Sequence, residues 1–217
     1  METCAAAGYA AVELAVDISE SNHFAAHSAT EAGVQSLKSL MSRNGLSLVA
    51  IDIGGWDREL CVVNFDESQR HKAIEHVTHA IAVAGELGCG LLTSHLWGLP
   101  AERARAEVAA CRELFLASVG ELVPILEKGR ARLNYMPHPG GFIEGSDGTV
   151  DLIREVGSPA IGYTFGTGHC FVINRPGQTV AEMIRYAGET LTHVLISDSH
   201  HVGRIIAPPE VKAHEHM

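Results

Sequence analysis

With 217 residues, 46% of them hydrophobic and 19% charged, the chain can bury one large core as a single domain over residues 1–217. Its 16 Lys and Arg stand against 26 Asp and Glu, a formal charge of −10, and the basic residues are scattered, so no groove for nucleic acid is expected. The longest apolar run, around Ala80 to Ala84, is far too short for a membrane span. No basic segment precedes the apolar start "METCAAAGYAAVEL", and five dispersed cysteines without a C-x-x-C pair fit reduced thiols in a cytoplasmic protein.

The first expected strand is "AAVELAVD", Ala10 to Asp17. Ser28 with Glu31 has the form of a capping box and predicts a helix ending at Asn44-Gly45. "LSLVAIDIGG", Leu46 to Gly55, is rich in β-branched residues and reads as the second strand. Asp66 is placed to cap a long helix with Ile74, Val77, Ile81 and Ala84 on one face and Gly88 at its end. "GLLTSHLWG", Gly90 to Gly98, is the third strand; a helix from about Ala101 to Lys128 follows, with a kink or break expected at Pro124. The fourth strand, "RLNYMPHP", runs from Arg132 into a Pro-His-Pro-Gly corner, and a short helix at Val150 to Val156 comes after it. "AIGYTFGTGH", Ala160 to His169, is the fifth. Thr179 and Glu182 cap a helix to about Ala187, and "THVLISDSHH", Thr192 to His201, is the sixth strand.

Six strands alternating with helices, several of them apolar throughout, imply a parallel sheet with helices on its faces. No G-x-G-x-x-G or G-x-x-x-x-G-K-[ST] follows any strand, which disfavours a nucleotide-binding doubly wound sheet. Polar and glycine residues gather just after each strand, where barrel enzymes place their active sites. The expected fold is therefore α/β, an incomplete TIM-type barrel of about six parallel strands with helices outside.

The segments "LNYMPHPGGFIE", "IGYTFGTGHCF" and "HVLISDS" together resemble the xylose-isomerase-like TIM barrel family, which includes sugar-phosphate isomerases and epimerases, inosose dehydratase and the endonuclease IV branch. "AGYAAVELAV", "NGLSLVAIDIGG" and "AGELGCGLLTSHLWG" fit the same family's second, third and fourth strands, so the likeness runs over nearly the whole chain. The resemblance implies an eight-stranded barrel of which this chain lacks the first strand and the last β/α unit, in keeping with a length below the ~250 residues typical of such barrels. An open barrel exposes two sheet edges, and a homodimer through them is expected.

The resemblance also implies a sugar or polyol isomerase or epimerase with one divalent ion (Mn, Co, Zn or Mg) held by acidic and histidine side chains at strand ends. Such an ion polarises a hydroxyl or carbonyl oxygen while a carboxylate moves a proton at the adjacent carbon. Carried over position by position, the usual glutamate before "PHP" is Met136, the usual aspartate is Gly166, and the second histidine of an H-V-H is Leu195. The fourth ligand would fall on the eighth strand. Methionine offers a soft thioether, and glycine and leucine offer nothing, so a hard ion is not expected to bind in the family's manner. Where some relatives carry a glutamate in the fourth strand, this chain has His95.

His138, between two prolines at a strand end, and His169, at the position where the family keeps a histidine near its metal, are candidates for proton chemistry, with Asp198 in the polar cluster after the sixth strand. The alternative for each is a packed or solvated polar group. Asp17, Asp52, Trp56, His95, Trp97 and His200 are candidates for binding a sugar or polyol, together with the replaced positions Met136, Gly166 and Leu195. His214 and His216, two apart in "AHEHM", join His138 and His169 as candidate ligands of a softer metal; the alternative is a frayed tail. Of the consecutive His200 and His201 at most one joins the site, and His193 is expected near the strand start, outside it. Cys170 is the one cysteine worth testing as reactive, and "AERARAE" reads as a solvated helix face. Three readings stay open: an isomerase, epimerase or related lyase; a metal-free small-molecule-binding protein or pseudoenzyme whose emptied pocket is roomier and takes a more apolar ligand; and an inactive truncated chain.

Overall fold

The computed structural model describes residues 1–15, 29–55, 58–173 and 178–197. Among these, strands β1 (Ala11–Ala15), β2 (Ser47–Asp52), β3 (Leu91–His95), β4 (Arg132–Met136), β5 (Ile161–Gly166) and β6 (Leu191–Leu195) form one sheet in chain order, every neighbouring pair parallel. Sequential order without reversal is that of a barrel wall; a doubly wound sheet reverses at a switch point. The expected incomplete barrel is the fold observed. No helix among the described residues is long and apolar enough to cross a membrane.

The helices are α1 (Glu2–Ala6), α2 (Glu31–Arg43), α3 (Glu67–Glu86), α4 (Ala101–Ala106), α5 (Val108–Gly129), α6 (Ser146–Val156), α7 (Thr167–Ile173) and α8 (Val180–Ala187). Asp66 caps α3 as expected, accepting from the backbone N–H groups of Ser68 and Gln69, and Thr179 with Glu182 forms a complete capping box on α8. The cap of α2 is Thr30 rather than Ser28: its Oγ1 accepts from Gly33 N at 3.2 Å. The break expected at Pro124 falls instead at Glu107, between α4 and α5. Val119, Leu122 and Leu126 are fully buried on both sides of Pro124, and this packing holds α5 together across the lost hydrogen bond.

Two elements differ in ways that bear on the site. β5 ends at Gly166, and His169 lies in the first turn of α7 rather than on the strand. Thr167 fixes that turn, its Oγ1 donating to Ser197 O at 2.6 Å and accepting from Ser197 N at 2.8 Å. β6 is also shorter than expected, Leu191–Leu195. The expected residues Asp17, Ser28, Trp56, Asp198, His200, His201, His214 and His216 lie outside the described residues.

Strand alternation divides the side chains between a helix-facing layer and the barrel interior. Tyr135 on β4 meets Phe115 of α5 edge-on at 4.8 Å between ring centres, and Tyr163 on β5 hydrogen-bonds Ser146 of α6 at 2.8 Å. Their neighbours point inward. Buried Asn134 donates to Thr164 Oγ1 at 3.1 Å and Thr192 Oγ1 at 2.7 Å, joining β4, β5 and β6. The irregularity where β5 meets β6 sets His193 opposite Thr164, while Thr192 bonds Asn134 and His193 bonds Glu13.

Candidate functional site

Three histidines meet where β3, β4 and β5 end. His95 is the last residue of β3, His138 lies two residues beyond β4, and His169 sits just past β5. Their ring centres are 5.1 Å (His95–His138), 5.6 Å (His95–His169) and 4.6 Å (His138–His169) apart. His95 and His169 are buried and His138 is half-buried. One ring nitrogen from each lies within 4.8 Å of the others.

Backbone carbonyls orient two of the rings. Nδ1 of His95 lies 3.2 Å from Gly54 O, and Nδ1 of His138 lies 2.7 Å from Pro139 O. A carbonyl only accepts, so Nδ1 carries the hydrogen in both rings. The corner that presents His138 depends on two glycines. Gly140 has φ of 86° and donates its N–H to Glu144 Oε1 at 2.5 Å. A Cβ on Gly141 would strike the carbonyl of Leu96. Trp97 closes one side, its ring 5.2 Å from that of His138.

The positions that the resemblance assigns to metal ligands hold no oxygen donor. A Cβ on Gly166 would collide with the Met136 sulfur, so the thioether lies in the space where a side chain at position 166 would begin. The space beside Gly166 is thus filled by a thioether. Leu195 ends β6, half-buried. An oxygen-liganded divalent ion of the family's kind does not fit this set.

Asp52 ends β2, and its Oδ1 accepts from Gly54 N at 2.8 Å. Gly54 therefore holds Asp52 through its N–H and His95 through its carbonyl. Burial pushes the Asp52 carboxyl up to about 7; the Gly54 hydrogen bond opposes this and the charge of Glu13 adds to it. Such a group changes protonation near neutral pH, which suits proton transfer.

Sequence reasoning passed over Glu13 and set His193 outside the site; the two pair inside the barrel at 3.1 Å. The available signal was a lone carboxylate within the apolar run "AAVELAVD". Cys170 is buried, its thiol pushed up to about 11 by burial, so it lacks the thiolate character that reactivity needs. The run "AERARAE" is not wholly solvated: Ala104 is buried and Arg105 Nη1 donates to Gly140 O at 3.3 Å.

The fold and these strand-end histidines define a parallel α/β barrel protein with a polar centre at the C-terminal edge of its sheet. Residues 1–217 match the family model described as xylose isomerase-like TIM barrel, and the chain belongs to that family. Among solved structures it is similar to a D-psicose 3-epimerase in the presence of D-fructose, at 16% identity and a TM-score of 0.74 over 89% of this chain and 64% of that one. A D-tagatose 3-epimerase-like protein matches at 19% identity and a TM-score of 0.73, over 92% of this chain and 71% of that one. The IOLI protein with a binding zinc atom matches at 14% and 0.70, over 96% and 70%. The chain thus spans slightly less than two thirds of the D-psicose 3-epimerase. No curated protein matches.

Proposed function

We propose that this chain acts on a sugar or polyol as an isomerase or epimerase, moving a proton on a carbon next to a carbonyl at the C-terminal ends of its strands. The observation that carries this reading is the convergence of His95, His138 and His169 at three adjacent strand ends, with Asp52 held by the same Gly54 that holds His95. The histidine centre binds and polarises the substrate oxygen, while Asp52 exchanges the proton. Trp97 offers an apolar wall for the ring carbons. Asp198 is assigned a share of the proton chemistry, and Asp17, Trp56 and His200 a share of the substrate binding, from residue type and sequence position alone. The presence of D-fructose with one similar epimerase supports a ketose as the substrate class. The protein works in the cytoplasm as a homodimer through the edges of the sheet, which gel filtration tests.

A second reading rests on Met136, whose sulfur takes up the room a side chain on Gly166 would need. It is a metal-free binding protein, or pseudoenzyme, for a more apolar ligand. Incubation with a panel of ketoses in D2O, followed by proton NMR, separates the two. The first reading expects deuterium to enter the carbon beside the carbonyl, and the rate to fall by about 10²- to 10⁴-fold in Asp52→Asn. Saturable binding without exchange favours the second. Neither binding nor exchange across the panel contradicts both.

A further inference from the structure

The family's oxygen-liganded ion does not fit, yet the centre is not without donor atoms. We infer that His95, His138 and His169 form a three-histidine site for a divalent transition metal of borderline softness, zinc or cobalt, with a fourth position open to a substrate oxygen. It deepens the reading above by naming what polarises that oxygen, and it rests on that reading only for the purpose of the fourth position.

Geometry comes first. Metal–nitrogen bonds of about 2.0–2.1 Å in a tetrahedral site place neighbouring nitrogens about 3.3 Å apart. The three ring nitrogens already lie within 4.8 Å of one another, so ring rotations that shift each by about 1 Å close the set around an ion. Each histidine is anchored at a strand end or in the turn that follows it.

Tautomers come second. A metal takes the lone pair of a neutral imidazole, and ligating histidines donate their other N–H to a carbonyl or carboxylate. Two of the three rings have this arrangement in place. His95 donates Nδ1–H to Gly54 O and His138 donates Nδ1–H to Pro139 O, so Nε2 is the atom through which each ring would ligate.

Donor chemistry decides the ion. Among the described residues no carboxylate joins the cluster, which argues against magnesium or calcium, ions that require oxygen. Imidazole suits zinc and cobalt, and the Met136 sulfur and His169 Nδ1 both border the space above Gly166, so the wall there is soft and apolar. Three neutral ligands leave the dication's full charge to act on a fourth, oxygen ligand, as at catalytic zinc centres.

The test uses untagged full-length protein stripped with a chelator and titrated with Co2+, followed by visible absorption and elemental analysis. The expected result is about one equivalent bound with the intense bands of four-coordinate cobalt, displaced by Zn2+ and unaffected by Mg2+ in excess. His138→Ala and His169→Ala should each weaken binding by about 100-fold or more, with His138→Gln as a second variant should the first fail to fold. His214→Ala/His216→Ala should leave the spectrum unchanged. No saturable cobalt binding, or an unchanged spectrum in the folded His138 and His169 variants, overturns the inference. The deuterium exchange assay is run on stripped protein as well as loaded protein. Exchange that is as fast without metal overturns the assigned role of the fourth position in polarising the substrate oxygen; metal binding without exchange in either form counts against the isomerase reading alone.

Discussion

Glu13 Oε2 lies 3.1 Å from His193 Nε2, an interaction that spans the barrel interior from β1 to β6, the two edges of the sheet. The other carboxylate oxygen of Glu13 accepts from Thr93 Oγ1 on β3 at 3.3 Å. One side chain therefore ties three strands, and the contact between the edge strands shows that the sheet is curled. Both partners of the pair are about four-fifths buried, so their hydrogen bond is largely shielded from water. Glu13→Gln and His193→Ala should each lower stability by about 1–2 kcal/mol, and the double variant should lose less than the sum by about 1 kcal/mol. Urea unfolding of the four proteins checks this, and strict additivity would contradict it.

Gly166 is required because of Met136. A Cβ at position 166 collides with the Met136 sulfur, and the β5 backbone is fixed by its neighbours. Gly166→Ala should cost about 1–3 kcal/mol by overpacking, and Met136→Ala in the same chain should recover part of that loss. Thermal unfolding of the single and double variants reads the coupling.

Asn134 carries the interior polar network. It is fully buried, and its amide serves Thr164, Thr192 and the carbonyl of Tyr163. Replacement by Leu of similar size leaves the buried Thr164 hydroxyl without this donor, and should cost about 2–3 kcal/mol. Asn134→Asp should be worse at neutral pH, since it places a charge in the same enclosure.

Asp52 gives the protein a pH-dependent term of definite sign. Burial raises its carboxyl from 3.8 to about 7, so between those values the folded state holds a proton that the unfolded state has released. This contribution to stability is complete below about pH 4 and is lost as pH rises through about 7. Asp52→Asn should remove that decline and stabilise the protein at pH 8 by about 2 kcal/mol, the residue as a whole being only half-buried. Melting temperatures of both proteins from pH 4 to 8 check the prediction; parallel curves would contradict it.

The barrel wall was legible because its strands carry their own periodicity and its long helix carries its own cap at Asp66. Contacts distant in sequence were not legible. Pro124 invites a break that the buried face of α5 overrides, and His169 belongs to a helical turn whose first residue, Thr167, bonds Ser197 thirty residues later. The site shows the same division. His95, His138 and His169 stand out by residue type and strand-end position, but their mutual approach depends on strand order. Glu13 and His193 are 180 residues apart, and only the curl of the sheet makes them partners. The family resemblance implies that Met136 and Gly166 stand in for ligands, whereas their steric dependence on each other arises only in the fold.

The most direct test of the three-histidine centre is an anomalous difference map from crystals of zinc-loaded protein, with data on both sides of the zinc absorption edge. The account expects one strong peak bounded by Nε2 of His95, Nε2 of His138 and a ring nitrogen of His169, at about 2.0–2.1 Å from each. A zinc peak held by other side chains, or none between these rings, would contradict it.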